Sequence, residues 1–442
     1  MDINKLVSII NSFVWGPYML LLLVGTGVYL TFKLDFIQFK RLSSALRMLI
    51  KEGKAQDGQG DIPPIQALTT ALSATIGTGN IAGVATAIYL GGPGAIFWMW
   101  ICAIFGMATK FAEAVLAVKY RKTLPDGTMQ GGPMRYIADG LGLKWLGWLF
   151  AFMGAIAAFG IGSMVQSNSV AVVIKEHWNI QEVITGIILA LLTGVVIIGG
   201  IKRIGKVTEK LVPFMGAFYV LGALTIIILN FEKVPEAISL IFKHAFTPAA
   251  GVGGFAGATV AQAMRYGVAR GVFSNEAGLG SAPIAHAAAK TNNPVRQGLI
   301  AMTGVFFDTI IICSMTALVI LSTGVWKTGQ TSSALTYNAF EAALPGVGGI
   351  IVTVGLAIFA YSTMIGWAYY GEECVEYIFG IKARMPYRFI FCIVIAFGAF
   401  QRVDFVWNFS DTMNGAMAIP NLIGLIGLSG ILAKETKKFI YS

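Results

Sequence analysis

The chain has 442 residues, of which 56% are hydrophobic and only 12% are charged. Because soluble globular proteins carry about 25% charged residues, this composition excludes a soluble fold. The apolar residues form long blocks without a two-residue alternation, which excludes a porin-type barrel and indicates membrane-spanning helices. Four scattered cysteines and three distant histidines predict neither a disulfide framework nor a histidine metal site.

Eleven apolar segments are predicted to cross the membrane, each close to the length of about 20 residues that a spanning helix needs. They are 13–32, 65–90, 94–118, 145–174, 182–200, 211–230, 252–289, 298–323, 346–371, 387–401 and 414–433. The first has neither a basic segment before it nor a small-residue cleavage site after it. It is therefore predicted to be a membrane helix and not a signal peptide.

The basic residues predict the side of the membrane on which each loop lies. Twenty-three Lys and Arg residues fall in one alternating set of loops, six in the other set, and three within spans. Because cytoplasmic loops carry the positive excess, the N-terminus is predicted outside and the C-terminus in the cytoplasm, in a plasma membrane. The net charge of +10 thus indicates orientation and not a nucleic-acid partner, and the short loops are typical of a prokaryotic membrane protein.

Two segments outside the spans have a mixed apolar and polar character. Residues 35–51 combine Leu, Ile, Phe and Met with Lys and Arg, which predicts an amphipathic helix on the cytoplasmic face. Residues 330–344 fit a similar helix outside the membrane and an ordinary loop equally well. Neither segment indicates a separate soluble domain.

Two of the spans, 65–90 and 252–289, are rich in glycine and predicted to be broken near their middle. The first contains Gly77, Thr78, Gly79 and Asn80, and the second contains FSNEAGLGSAP over 273–283. Irregular backbone survives at that depth only inside protein or beside a watery cavity, because unpaired backbone groups are costly in hydrocarbon. Glycine runs also serve close helix packing, but two interruptions in matching positions favour unwinding and a binding site.

The two breaks also predict how the chain is arranged. Setting the first span aside leaves ten spans, which divide into two runs of five that each begin with a broken helix and run in opposite directions. The expected fold class is an all-α integral membrane protein with eleven transmembrane helices, a five-plus-five inverted repeat preceded by one extra helix. The expected divisions are 1–63 for the extra and amphipathic helices, 64–231 and 232–433 for the repeats, and 434–442 for a cytoplasmic tail.

A broken helix has a definite binding chemistry. Free N–H groups at the start of one half attract an anion such as a carboxylate, and free carbonyls at the end of the other attract a hard cation. A zwitterionic amino acid together with Na⁺ suits both ends.

Three segments resemble a known family. Residues 91–106, GGPGAIFWMWICAIFG, closely resemble the signature of the alanine/glycine:cation (sodium:alanine) symporters, and the ATIGTGNIAG and FSNEAGLGSAPIAHA segments are similar to that family too. The resemblance covers nearly the whole chain. It implies the leucine-transporter-type inverted-repeat fold and uptake of alanine or glycine driven by Na⁺ or H⁺, with no other cofactor and no obligatory protein partner.

The resemblance implies a substrate site around both breaks. The substrate-binding set is Thr75, Gly77, Thr78, Gly79, Asn80, Gln166, Phe273, Ser274, Asn275, Gly278, Thr363 and Trp367. The N–H groups of Thr78 and Gly79 are expected to hold the substrate carboxylate, which Gln166 also reaches. Carbonyls near Thr75 and Phe273 are expected to take the ammonium group.

Other members of this set are expected to shape the pocket. Phe273 closes over the substrate, Gly278 leaves room for a short side chain, and Trp367, one turn beyond Thr363 on the same helix face, forms a wall.

The same resemblance implies a cation site beside the substrate. Its oxygens are the carbonyls of Ser73, Ile76 and Phe359 and the hydroxyls of Ser362 and Thr363. The alternative is that these hydroxyls bond only to the backbone of their own or a neighbouring helix, as membrane Ser and Thr often do.

Three ionisable residues near the breaks are gate or coupling candidates, because charges inside a membrane are costly and mark functional sites. Arg270 lies one turn outside Phe273, Glu276 lies within the second break, and Asp308 lies inside the eighth span. Asp308 could bind a cation, relay a proton or pair with a base.

Rival functions are a channel and a membrane-embedded enzyme. A channel needs a continuous polar lining, whereas the polar residues here cluster at the breaks, and no hydrolase, metalloprotease or nucleotide-binding motif occurs. Within carriers, a proton-coupled transporter of another small amino acid or of a nucleobase stays open.

Overall fold

The computed structural model describes residues 3–54 and 58–440, and these are almost entirely helical. The helices of the first half are α1 (Ile3–Val14), α2 (Pro17–Lys33), α3 (Ile37–Glu52), α4 (Pro64–Thr75), α5 (Val84–Gly91), α6 (Ala95–Lys119), α7 (Pro133–Arg135), α8 (Lys144–Phe159), α9 (Val165–Trp178), α10 (Glu182–Ile197) and α11 (Gly200–Leu229). Two short antiparallel strands, β1 (Lys122–Thr123) and β2 (Met129–Gln130), form a hairpin after α6.

The second half continues with ten helices in the described residues. They are α12 (Val234–Phe246), α13 (Val260–Asn275), α14 (Ala282–Ala287), α15 (Pro294–Val305), α16 (Ser314–Thr323), α17 (Ser332–Ala343), α18 (Gly348–Phe379), α19 (Arg384–Gly398), α20 (Val403–Gly427) and α21 (Ser429–Ile440). Wider, π-helical turns occupy Gly79–Gly83, Tyr136–Gly140, Gly160–Met164 and Phe306–Cys313, and 3₁₀ turns occupy Phe231–Lys233, Val325–Thr328 and Ile381–Ala383.

Five helical segments in the described residues are long and apolar enough to cross a membrane, and the number rises to eight if each of three bent pairs counts as one span. The other predicted spans correspond to α10 and α19, which have 16 and 15 residues, and to the pair α13 and α14. The molecule is thus a multi-pass membrane protein, while the count of eleven and the inverted-repeat layout stay predictions.

The two predicted interruptions are present. α4 and the segment that begins at Gly79 meet at 51°, and six residues, 276–281, separate α13 from α14. The N-terminal part of the span predicted at 252–289 is not helical, because 249–258 forms a small turn with isolated bridges between Ala249 and Ala258 and between Val252 and Phe255.

The last predicted span, 414–433, is wrong in its bounds. Helix α20 already begins at Val403 and ends at Gly427, and α21 leaves it at an angle of 59°. The polar residues Asn408, Ser410 and Asp411 lie in the part of α20 that precedes the predicted span, and their partners lie inside the protein. The expected tail at 434–442 is therefore mostly the continuation of α21, with 441–442 outside the described residues.

The predicted amphipathic segment at 35–51 is α3, which leaves α2 at 79°. The segment at 330–344 contains the helix α17, which settles the choice between helix and loop that its composition left open. α17 buries Leu335, Ala339 and Phe340, and its Thr336 hydroxyl donates to the Ile81 carbonyl at 2.9 Å. It thus packs against the second half of the first broken helix.

Burial places the broken helices at the centre of the molecule. α6, with 83% of its apolar window buried, packs against α13, α14 and α15, whereas α11 is only 28% buried. α11 presents Phe214, Leu221 and Ile228 outward, as expected of a helix that faces lipid. α18 packs against α4 and brings its middle to the first break.

Candidate functional site

The first break places backbone N–H groups deep inside the protein. α4 ends at Thr75, and the Gly77 N–H donates to Asn80 Oδ1 at 2.9 Å. The Thr78 N–H donates to Gln166 Oε1 at 3.4 Å, a long hydrogen bond. Side-chain oxygens therefore accept hydrogen bonds from two backbone N–H groups that have no carbonyl partner within the helix.

Phe273 and Trp367, the two aromatic residues of the predicted substrate set, each pack against a glycine. A Cβ on Gly79 would lie 3.2 Å from Phe273 Cδ1, so the Phe273 ring packs directly on the first break. Trp367 packs against Gly162, where a Cβ would overlap it, and its ring centroid lies 5.4 Å from that of Tyr370. Both aromatic residues are buried, and their role as pocket walls stays a prediction.

Five oxygens of the predicted cation set lie together between α4 and α18. The Ser362 hydroxyl lies 2.8 Å from the Phe359 carbonyl oxygen, 3.2 Å from that of Ser73 and 3.4 Å from that of Ile76. The Thr363 hydroxyl lies 3.0 Å from the Phe359 carbonyl oxygen and 3.3 Å from that of Ile76. Carbonyl and hydroxyl oxygens are the ligands that hard cations prefer, so the donor set fits Na⁺.

Asp308 connects the two breaks. Its Oδ1 accepts from Asn80 Nδ2 at 2.7 Å, and its carboxylate accepts from the Ser274 hydroxyl at 2.9 and 3.0 Å and from the Thr309 hydroxyl at 2.7 Å. All four side chains are fully buried. Because Asn80 belongs to the first break and Ser274 to the end of α13, this carboxylate joins both broken helices.

The second break is held by a carboxylate from α6. Glu276 has φ of 58°, and Gly278 and Gly280 have φ of 92° and 82°, which an L side chain rarely adopts. Glu113 Oε1 accepts from the Gly278 and Gly280 N–H groups at 3.1 Å each and from Asn421 Nδ2 at 2.7 Å. The anion expected at free helix N–H groups is here the protein's own side chain.

The role predicted for Gly278 is wrong. A side chain at this position would point at Leu23 Cδ2, 2.8 Å from its Cβ, and at Leu422 Cδ2 at 3.4 Å. Gly278 therefore faces α2 and α20 and serves the left-handed backbone of the second break. It is left out of the proposed substrate pocket.

Glu276 and Asn275 lie on the side of the second break that faces Lys110. Glu276 Oε2 accepts from the Ser281 hydroxyl at 2.8 Å, and neither its Oε1 nor Lys110 Nζ has a hydrogen-bond partner among the described residues. Lys110, Thr75 and Asn275 line one cavity of about 10 Å³, no larger than a single water. Thr75 and Asn275 therefore lie close together, but they line the cavity beside Lys110 and not the first break.

Arg270 forms a stacked ion pair above Phe273. Its guanidinium bonds to the Asp411 carboxylate at 2.5 and 3.3 Å and lies 5.4 Å from the ring centroids of both Phe273 and Trp407. The two rings stack at 5.3 Å. This cluster ties α13 to α20 immediately above the first break, the position expected of a gate.

The structure brings together most of the predicted site residues. The first break and its neighbours hold Gly77, Thr78, Gly79, Asn80, Gln166, Phe273, Ser274 and Thr363, with Ser73, Ile76, Phe359 and Ser362 beside them. Trp367 packs against Gly162 instead. Sequence reasoning missed Glu113, Asp411 and Asn421 as partners of the breaks. Glu113 lies inside a predicted span, where a carboxylate is a signal, but its backbone partners lie 165 and 167 residues away along the chain. Asp411 lies outside the predicted spans, and its partner Arg270 lies 141 residues away.

Comparison with known proteins agrees with this geometry. The family model described as the sodium:alanine symporter family matches residues 1–442. "Sodium/alanine symporter AgcS" of Methanococcus maripaludis is 54% identical over 99% of this chain and 98% of its own length. "Probable sodium/glutamine symporter GlnT" of Bacillus subtilis is 37% identical over 99% of this chain and 91% of its own.

A solved structure has the same fold. The crystal structure of MhsT in complex with L-phenylalanine superposes with a TM-score of 0.59, covering 86% of this chain and 99% of that one at 12% identity. At that identity the likeness concerns the fold alone, and it bears out the leucine-transporter-type architecture that the sequence resemblance implied. With the family model matching from end to end, the chain belongs to the sodium:alanine symporter family and is a membrane transporter, not an enzyme.

Proposed function

We propose that this protein couples the uptake of a small neutral amino acid, alanine or glycine, to Na⁺ entry by alternating access. The observation that carries the proposal is the group of five buried oxygens from Ser73, Ile76, Phe359, Ser362 and Thr363, which lies beside the free N–H groups of the first break. Cation and zwitterion would thus share one interruption of one helix.

The substrate carboxylate is proposed to bind at the Thr78 N–H, which now donates to Gln166. Its Oε1 accepts from the Thr78 N–H, so an amide oxygen stands in for a carboxylate oxygen. The bond is long at 3.4 Å, and a charged acceptor at the same amide would be stronger than this neutral one. The Phe273 ring packs directly over Gly79, which restricts the substrate to a short side chain and so favours alanine and glycine.

The proposed coupling follows from chain connectivity. Ile76 offers its carbonyl to the cation side, and Thr78, two residues later, offers its N–H to the substrate side. Filling either position orders the same three-residue turn, so binding of one ligand lowers the entropic cost of binding the other. Asp308 would pass this ordering to Ser274 of α13.

A radiolabelled amino-acid panel in proteoliposomes tests the proposal. Na⁺ and H⁺ gradients are imposed separately, with K⁺ as the control ion. The expected result is saturable uptake of alanine and glycine that requires inward Na⁺. Uptake driven by H⁺ alone would contradict Na⁺ as the coupling ion, and a preference for glutamine or a nucleobase would contradict alanine and glycine as substrates. Non-saturable flux would favour a channel.

Substitutions test the cation assignment. Ser362→Ala and Thr363→Ala each remove one hydroxyl ligand, so each is expected to raise the Na⁺ concentration for half-maximal uptake by about tenfold, equivalent to about 1.4 kcal/mol. The matched control is Thr353→Ala, another buried threonine of α18, about three turns away from the site. An unchanged Na⁺ dependence in both site variants would contradict the assignment.

The orientation is also part of the proposal. The distribution of Lys and Arg supports an N-terminus outside and a C-terminus in the cytoplasm of a prokaryotic plasma membrane. In that orientation Arg270 and Asp411 lie on the outer side of the substrate, where their ion pair would open and close the entrance.

A further inference from the structure

A cavity of about 270 Å³ lies at one end of α18, away from the proposed substrate site. Its lining includes Asp61, Lys202, Glu372, Glu373 and Arg388. Lys202 is exposed, so the cavity opens at the protein surface. The surrounding loops are those that the Lys and Arg distribution assigns to the cytoplasm.

Most charges around this cavity are already neutralised in pairs. Arg388 forms an ion pair with Glu372 at 2.5 Å, and Arg384, which also lines the cavity, forms one with Glu376 at 2.5 Å. Arg384 additionally reaches Asp126. The two guanidinium groups are therefore bound to other carboxylates.

Glu373 differs from its neighbours. It is 3% exposed, its Oε2 atom has no hydrogen-bond partner in the described part of the chain, and it forms none of the ion pairs found there. An ionised carboxylate without a partner is costly in such a buried position, so Glu373 either holds a proton or is reached by a cation or water from the cavity. Asp61, the other carboxylate on this lining without an ion pair among the described residues, accepts the Met129 N–H at 2.9 Å, and burial raises the pKa of its carboxyl.

The helix connects this carboxylate with the proposed cation site. Ser362, Gly366, Tyr369 and Glu373 follow one another at intervals of four, three and four residues, which places them on one face of α18. The distance along the axis from Ser362 to Glu373 is about 16 Å at 1.5 Å per residue. Tyr369 and Glu373 at the far end both line the cavity.

Close packing separates the two ends of this stripe. A Cβ on Gly366 would lie 2.7 Å from Ser73 Oγ and 2.8 Å from Ala74 Cβ, so α4 rests directly on α18 at that point. Movement of α4 away from α18 would therefore uncover the whole stripe, from the cation oxygens to the cavity.

We propose that Glu373 forms a second, cytoplasmic cation site, at which a hydrated Na⁺ released from Ser362 and Thr363 pauses before it leaves the protein. The inference rests on the proposed Na⁺ coupling. A partly hydrated ion fits better than a chelated one, because the described residues contain no cluster of three or more acidic, histidine or cysteine ligands. The site also gives cytoplasmic Na⁺ a place to bind when transport runs backwards.

Efflux from proteoliposomes of known orientation tests the site. Glu373→Gln is expected to raise the cytoplasmic Na⁺ concentration that half-activates alanine efflux by about fivefold or more. The reason is that Na⁺ loses its attraction to one poorly screened carboxylate. The external Na⁺ dependence of uptake is expected to stay at the wild-type value. Glu373→Asp should restore most of the efflux response, and Asp139→Asn, an exposed carboxylate paired with Lys122, is the control for general surface charge.

The outcomes separate the two proposals. If wild-type uptake does not need Na⁺, the proposed function fails. If wild-type uptake needs Na⁺ but Glu373→Gln has unchanged internal Na⁺ dependence, or changes only the internal alanine dependence, the second site is overturned while the function stands.

A labelling experiment remains decisive if Glu373→Gln transports poorly. Tyr369→Cys, which lines the same cavity and leaves the Glu373 carboxylate in place, is expected to react with a membrane-impermeant, positively charged thiol reagent from the cytoplasmic side, above the wild-type background of four buried or half-buried cysteines. Internal Na⁺ should slow that reaction. Absence of labelling, or labelling that Na⁺ does not slow, would contradict the site.

Discussion

At the residue scale, Gly77 illustrates how little space separates the substrate and cation positions. A Cβ built on Gly77 would overlap Thr363 Oγ1 and approach Gln166 Oε1 to 3.4 Å. Because Gly77 has no side chain, Thr363 of the proposed cation site and Gln166 at the proposed substrate position can both lie against the same turn of backbone. The sequence predicted that glycine was needed at this break, but it could not reveal which atoms occupy the space.

This contact leads to a direct prediction. Gly77→Ala is expected to displace the Thr363 hydroxyl and to raise the Na⁺ concentration for half-maximal uptake by about tenfold or more, or about 1.4 kcal/mol. Gly83→Ala is the matched control, because no atom lies within 4 Å of the added Cβ. Equal Na⁺ dependence in the two variants, measured in the same proteoliposome assay, would place Thr363 outside the cation site.

Asp308 supports a second residue-scale prediction. Its carboxylate accepts hydrogen bonds from Asn80, Ser274 and Thr309, and Asp308→Asn would replace one acceptor oxygen by a donor. The loss of such a bond in a buried site costs about 1–3 kcal/mol. We expect transport to fall at least tenfold while the protein still elutes as a single species in detergent. Wild-type uptake by Asp308→Asn would remove Asp308 from the coupling mechanism.

At the scale of elements, the second break depends on a helix that is distant in sequence. Glu113 of α6 accepts three hydrogen bonds, two from the left-handed backbone between α13 and α14 and one from Asn421 of α20. The interruption itself is predictable from the glycines and polar residues of 273–283. Its partner is not predictable from periodicity, because nothing local distinguishes Glu113 from a residue that pairs with Lys110 one turn earlier.

Glu113→Ala is therefore expected to destabilise the protein strongly. Three buried donors lose their acceptor, and each unsatisfied group costs about 1–3 kcal/mol. The unfolding temperature in detergent, followed by intrinsic fluorescence or by aggregation, should fall by several degrees. The control is Glu435→Ala, which removes only the half-buried pair with Lys119, a contact of a kind worth about 0–1 kcal/mol.

The bounds of α20 illustrate the opposite limitation of sequence reasoning. The predicted span begins only at 414, because hydropathy treats polar side chains such as those at 408–411 as exposed to water. In the structure Asp411 pairs with Arg270 and accepts the Trp15 indole N–H on its carbonyl at 2.9 Å, so this polar face points into the protein. Long-range pairing of this kind carries no local signal, whereas the apolar middle of each span does.

At the scale of the whole molecule, the distribution of basic residues predicts the orientation. A fluorescent protein fused after the C-terminus should fold and fluoresce, and alkaline phosphatase at that position should be inactive, because both report a cytoplasmic location. Phosphatase inserted at Phe231–Lys233 should be active, and the same insertion at Ile381–Ala383 should not. The reverse pattern would invert the proposed direction of transport.

The wide turn at Gly160–Met164 has a consequence for how this chain can vary. An extra residue in one turn rotates everything that follows by about 100°, and this rotation brings Gln166, two residues beyond the turn, to face the Thr78 amide. Removing a single residue from 160–164 would leave the length, hydropathy and charge of the span nearly unchanged. It would nevertheless swing Gln166 off the first break, so the angular register of the helix, invisible to any hydropathy profile, decides whether Gln166 reaches the proposed substrate position.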